Sequence, residues 1–328
     1  YHYDQYISST GISDVLNYNS PEAKASYASY VSALCARYKN YKCIGGWIVG
    51  NEFAYYDLWE PPNQYPNHRF LGFDTNYSRP AFQNFLSNHY GGSIGVLNSN
   101  WGTAHPSFSA ITVPTQFPVN RSDQPGTQHS GYSDVLLWRQ QSIAEFLSAG
   151  VGAAKGADTN HMVTYAMVGG IFSGYDDNNT CEDAKAIVSV CASNGTPVDF
   201  WTVNNYPWTW TGNEMRSMNY GIAKYKETIG LPVMVSECGL SDNDVILTET
   251  FYRQLPALAS LPWEAILSGA LGAHIFHWND RDEFYSYDNV LKREAGFGMI
   301  RASRLLKQVY WNILDAYRRM DELRIEQL

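Results

Sequence analysis

Short apolar runs bounded by glycine, proline or polar residues recur along the chain, at 43–50 (CIGGWIVG), 161–168 (HMVTYAMV), 198–203 (VDFWTV), 232–236 (PVMVS) and 273–277 (AHIFH). Each is too short for a helix, so each predicts a strand covered on both faces. Ahead of the first run and between the others, apolar residues return at helical spacing, over 20–39 and then over 135–154, 182–193, 213–228 and 251–271. The first of these opens with Ser-Pro-Glu at 20–22, a cap residue followed by proline at the first helical position. A mixed-charge helix is expected near the end of the chain, over about 302–328. Buried strands alternating with helices predict an α/β fold built on a parallel sheet.

Two α/β architectures compete, a doubly wound sheet and a (β/α)8 TIM barrel. Polar and aromatic residues follow the predicted strands directly, as Asn51-Glu52, Asn204-Asn205-Tyr206, Glu237 and Trp278-Asn279-Asp280. Chemistry gathered at the carboxyl ends of many strands is the barrel's pattern. No GxGxxG follows a strand, which disfavours the nucleotide-binding alternative. The count is short of eight, however. With 43–50 as strand four, the chain carries strands four to eight and lacks the first strands, about 100 residues at roughly 30 per βα unit. The chain is then a fragment, or a complementary segment sits in a separate chain. Residues 1–19 have room for one hidden strand at most. No linker interrupts the pattern, so 1–328 reads as a single catalytic barrel domain with a long insert at about 55–133, overhanging the strand ends.

Composition narrows the function classes. The chain has 328 residues, 45% hydrophobic and 17% charged, which excludes wholesale disorder. A net charge of −9 without a basic run argues against nucleic acid as a partner. No stretch approaches the roughly 20 apolar residues of a membrane span. Rings with a polar handle dominate the aromatics, 24 Tyr and 10 Trp against 14 Phe. Such rings suit stacking on sugars as well as core packing.

The five cysteines show no zinc-ligand spacing, so neither metal nor other cofactor is expected. Cys181 and Cys191 bracket a predicted helix that separates them by roughly 15 Å, too far to bridge. Cys35 and Cys43 flank a helix-to-strand turn and are candidates to pair. An opening without initiator Met fits a removed signal peptide, a longer precursor or a trimmed chain. Four Asn-x-Ser/Thr sequons permit glycosylation only in a source that secretes through a glycosylating pathway; the expected setting is extracellular or periplasmic.

The chemistry rests on two carboxylates. Glu52 follows GGWIVGN and Glu237 follows PVMVS, each at the end of an apolar strand. In a barrel both would face one mouth. Glycoside hydrolysis needs such a pair, one acid to protonate the leaving oxygen and one carboxylate at the anomeric carbon.

These residues resemble clan A retaining glycoside hydrolases, in which Asn51-Glu52 after strand four matches the acid/base motif and Glu237 after strand seven the nucleophile. LNSNWGT at 97–103 followed by ITVP at 111–114 is most similar to family 42 β-galactosidases, with a more general likeness to family 5. DFWTVNNYP at 199–207 resembles that family's sixth-strand motif, with Asn204 where the family has Asp. The similarity covers roughly residues 20–310. The family's zinc-binding cysteine cluster has no counterpart, because FAYYDLWEPP at 53–62 contains no Cys.

The resemblance implies hydrolysis of β-glycosidic bonds with retention, on a β-galactoside or related β-glycoside. Glu52 is then the general acid/base and Glu237 the nucleophile. Asn51 holds the sugar 2-OH, Asn205 and Tyr206 line the site, and Trp278 forms the floor under the sugar ring. Tyr206 as a plain turn residue, Trp278 as a core plug and Asn51 as a turn cap remain open, while Trp47, inside its strand, reads as core. The expected partner is a carbohydrate, with a complementary chain segment that completes the fold or a homo-oligomer as further partners. The competing reading is a non-catalytic carbohydrate-binding barrel that keeps the aromatics without the reaction.

Overall fold

The computed structural model describes residues 3–8, 11–53, 76–113, 130–168, 182–205, 213–239, 251–278, 299 and 303–326. By compactness the chain divides into two units, residues 1–165 with 177–198 and residues 166–176 with 199–328. The predicted parallel strands are present as β3 (Gly46–Asn51), β4 (Met162–Val168), β5 (Trp201–Asn204), β6 (Val233–Cys238) and β7 (Ala273–Ile275). They form a five-stranded sheet in sequence order, with β4 to β7 paired in parallel register. Parallel neighbours in sequence order require a crossover between each pair, and helices supply it.

Residues 1–19 hold more than the one strand expected. β1 (Tyr3–Ser8) and β2 (Gly11–Leu16) pair with each other as an antiparallel hairpin, separate from the five-stranded sheet. Neither has an apolar run long enough to signal a buried strand. Only their mutual pairing creates the element.

In the first unit, α1 (Pro21–Tyr38) starts where the cap chemistry demands. Ser20 Oγ accepts the Ala23 N–H at 3.1 Å, and Pro21 takes the first turn, where its missing N–H costs nothing. Its buried residues Ala23, Tyr27, Val31 and Cys35 fall every fourth position, a single stripe. That stripe packs on α4 (Ser130–Ala157), with Tyr27 stacked on Phe146 at 4.8 Å between ring centres. α5 (Ala184–Ser193) covers another face of α4, its N-terminus capped by Asp183, which accepts the Ala186 N–H at 2.7 Å.

The described part of the predicted insert is mostly helical. α2 (Ser78–His89) and α3 (Ile94–Trp101) bury Phe82, Leu86, Leu97 and Trp101 and pack against α4. Pairs spaced four apart supply the apolar stripe despite the polar composition around them. Asp134, buried on α4, accepts hydrogen bonds from Trp101 Nε1 at 2.7 Å and Tyr90 Oη at 2.6 Å, tying the insert to the helix.

β3 is less buried than its apolar run suggests. Ile48 is 45% exposed and Trp47 half-buried, because β3 lies at the edge of the sheet. Trp47 is therefore not a core plug. Its indole N–H donates to Asp158 Oδ2 at 2.9 Å. Cys35 and Cys43 are both free thiols, so the candidate bridge is not made.

In the second unit β5 is buried at every position. α6 (Asn213–Ile229), α7 (Phe251–Leu267) and α8 (Gln308–Glu326) pack in sequence beside the strands. The last of these starts later than its charge pattern suggested. Among the described residues no helix is long and apolar enough to cross a membrane.

Candidate active site

Asn51 is the last residue of β3, and Glu52 follows it at φ +52°. A non-glycine residue in this left-handed region costs about 1 kcal/mol, so the surroundings must hold it. They do so from both sides. Before the turn, Tyr27 Oη donates to the Val49 carbonyl at 2.9 Å. After it, the Phe53 N–H donates to Tyr165 Oη at 2.5 Å. The Phe53 ring folds back onto Gly50, where a Cβ would lie 2.9 Å from its edge. The same ring meets Tyr27 at 5.6 Å, Phe146 at 5.8 Å and Tyr165 at 6.0 Å between centres. The glycine at 50 is thus required by a close approach, and the aromatic cluster turns the chain so that Asn51 is exposed and Glu52 half-buried.

Tyr165, on β4, donates its hydroxyl proton to Glu182 Oε1. Both side chains are fully buried. Burial first, then the neighbouring Glu182 charge, pushes the Tyr165 hydroxyl well above its ordinary pKa of 10. Neither residue was singled out from the sequence. Tyr165 looked like one more apolar position in a strand, and Glu182 looked like the first residue of a helix. The available signal was the pair Glu182-Asp183 ahead of that helix. One acid suffices as a cap, and Asp183 is the cap.

In the second unit the candidate residues gather where β5 and β6 end. Glu237 lies within β6, one residue short of its last position, and is half-buried. Against β5, Val203 faces Val235 while Asn204 faces Glu237, so Ser236 is an extra residue on β6. The pairing with β7 shows the same excess between Val235 and Cys238. Such a bulge bends a strand and re-aims the side chain beside it. Sequence alternation, which assumes an unbroken period of two, could not have located it.

Polar bonds fasten this rim. Ser236 Oγ donates to Asn204 Oδ1 at 2.7 Å, and the Asn205 N–H donates to the Glu237 carbonyl at 2.7 Å. Asn205 itself is buried. Cys238 Sγ donates to the His274 carbonyl at 3.2 Å, and burial followed by the nearby Glu237 charge pushes its thiol up to about 12. Trp278 stands 57% exposed, edge-on to Tyr310 at 6.0 Å. An exposed indole is inconsistent with a core plug. Tyr206 and the loop aromatics Tyr55, Tyr56, Trp59, Trp208 and Trp210 lie outside the described residues. Among the described residues no group of three or more His, Cys, Asp or Glu side chains is placed to hold a metal.

Asn51 and Glu52 thus share one strand end in the first unit, and Asn205 and Glu237 are joined in the second. A family model for the glycoside hydrolase 42 β-galactosidases matches residues 3–189. The chain belongs to this family. Solved structures agree on the fold. A β-galactosidase from the Antarctic haloarchaeon Halorubrum lacusprofundi superposes with a TM-score of 0.64 at 15% identity, covering 93% of this chain and 43% of that one. The β-galactosidase of the psychrophilic Marinomonas ef1 gives 0.67 at 14% identity, over 97% and 46%. An exo-β-agarase gives 0.60 at 15% identity, over 94% and 39%. No curated protein sequence matches.

This family 42 chain therefore has the α/β fold of the family's TIM-barrel domain, with five of its parallel strands, and spans less than half the length of these solved relatives.

Proposed function

We propose that the protein carrying this chain hydrolyses β-glycosidic bonds with retention of configuration, on a β-galactoside or a related β-glycoside. The supporting observation is the left-handed Asn51-Glu52 turn held at a strand end, in a chain of the β-galactosidase family. Glu52 protonates the glycosidic oxygen as Glu237 attacks C1 and the C1–O bond breaks, leaving a covalent glycosyl ester. Glu52, now a carboxylate, takes a proton from water. That water attacks C1 and releases Glu237. Asn51 holds the 2-OH, whose hydrogen bond strengthens as the ring flattens towards the oxocarbenium ion. Asn205 and Tyr206 line the site, Tyr206 donates to Glu237, and Trp278 stacks on the apolar face of the sugar.

The roles are separable with azide in the intact protein. Truncating either glutamate lowers turnover by several orders of magnitude, since the covalent path needs both. With an activated aryl β-galactoside, Glu237→Gly and azide give the α-glycosyl azide by direct displacement. Glu52→Ala and azide give the β-azide, because the glycosyl ester still forms. A wild-type protein that binds galactosides without turning any over favours the carbohydrate-binding reading instead. Identical products from both variants refute the assignment of roles.

A further inference from the structure

The hydrogen bonds around the Glu52 turn have a direction. A tyrosine hydroxyl has one proton to give. Tyr165 gives it to Glu182, so the oxygen offers its lone pairs to the Phe53 N–H. A charged acceptor polarises the hydroxyl and strengthens the bond it accepts. The Phe53 N–H belongs to the peptide that links Glu52 to Phe53, so this contact acts on ψ of Glu52 directly. The Tyr27 bond acts two residues before Asn51, and the Phe53 ring acts through packing.

Glu182 is also expensive to keep. A carboxylate with no exposure loses several kcal/mol of hydration that its contacts must offset, and an apolar residue would fill the space at less cost. A stability role alone does not account for it.

We propose that Tyr165 and Glu182 are positioning residues for Glu52: the Glu182 carboxylate orients the Tyr165 hydroxyl, which pins the Phe53 N–H and holds Glu52 in its left-handed turn. The proposal rests on the reading of Glu52 as general acid/base. Neither residue touches the sugar. Their effect is on where the Glu52 carboxyl sits, and a misplacement of about 1 Å can cost on the order of 100-fold in rate.

The test uses the intact protein, with Tyr165→Phe and Glu182→Gln, on two aryl β-galactosides. Phenyl galactoside has a poor leaving group and needs the acid, whereas 2,4-dinitrophenyl galactoside does not. For Tyr165→Phe, kcat/KM on the phenyl substrate is expected to fall about 30-fold, and on the activated substrate less than about 3-fold. Hydrogen exchange in the peptide covering 51–54 speeds up by about 10-fold as its amide anchor is lost. Glu182→Gln keeps a neutral acceptor, so the same split appears at about 5-fold. It carries the test alone if Tyr165→Phe does not fold.

Equal losses on both substrates mark a structural role and overturn the proposal, as does unchanged exchange at 51–54. Activity on the phenyl substrate that vanishes in Glu52→Ala but survives intact in both variants overturns the positioning role alone. A wild type inactive on both substrates removes the reading of Glu52, and this proposal with it.

Discussion

The main-chain N–H of Asn205 donates to the carbonyl of Glu237 at 2.7 Å, and one residue earlier on each strand Ser236 donates to Asn204 at the same distance. Two successive bonds thus cross from the end of β5 to the bulged end of β6. A bulge leaves a residue outside the regular ladder, and Ser236 returns the missing connection through its side chain. Ser236→Ala is expected to lower stability by about 1 kcal/mol, the usual net worth of one buried hydrogen bond. A urea titration followed by tryptophan fluorescence measures it. An unchanged midpoint would show that the bulge stands without the bond.

Gly150 and Gly156 both lie in α4, and they should respond oppositely to alanine. A methyl at Gly150 would overlap the Tyr27 hydroxyl and ring, while one at Gly156 meets nothing within 4 Å. Alanine gains up to about 1 kcal/mol over glycine in a helix. Gly156→Ala should show part of that gain, reduced because the site is in the last turn. At Gly150 overpacking costs about 1–3 kcal/mol, and displacing Tyr27 endangers its bond to Val49 at about 1 kcal/mol more. The loss wins there. Thermal melts of the two variants should move in opposite directions.

Acid should loosen the first unit through Asp158. Its burial alone would raise the carboxyl pKa, but hydrogen bonds from Trp47, the Asn160 N–H and His161 outweigh it and hold the group at about 2, against an ordinary 3.8. A folded-state pKa below the unfolded one contributes stability above about pH 4, lost as pH falls from there towards 2. Urea midpoints measured from pH 6 down to 2.5 should fall more steeply in wild type than in Asp158→Asn, which has no charge to lose. Parallel curves would remove Asp158 as a source of the acid sensitivity.

Thiol chemistry should single out Cys43 among the described cysteines. Cys43 is exposed, whereas Cys35, Cys191 and Cys238 are buried, with burial pushing their thiols to about 11, 11 and 12. The thiolate is the reactive form, so at pH 8 these three should resist a small disulfide reagent in the native protein. Peptide mapping after brief labelling is expected to find the adduct on Cys43 and no Cys35–Cys43 bridge. Rapid modification of Cys238 would mean that the β6 end opens in solution.

All five parallel strands and the helices between them were legible in the chain itself, because local apolar content and cap residues such as Ser20 act over a few neighbours. So were Asn51, Glu52 and Glu237 as candidates, since a polar residue after an apolar run announces a strand end. The β1–β2 hairpin was missed, because its pairing is not an apolar signal. Trp47 was misplaced because exposure depends on which strands flank β3, and residue type does not carry that.

Sequence by itself therefore determined the fold class, the family pattern and which side chains are candidates for the chemistry, all properties of short segments. Tertiary structure decided the rest: the left-handed turn at Glu52, the extra residue beside Glu237 and the burial of Glu182 against Tyr165. Each depends on partners distant along the chain, Phe53 with Tyr165 or β6 with β5 and β7. Such conformations exist because packing outweighs a local preference of about 1 kcal/mol, and packing is not encoded in any one segment.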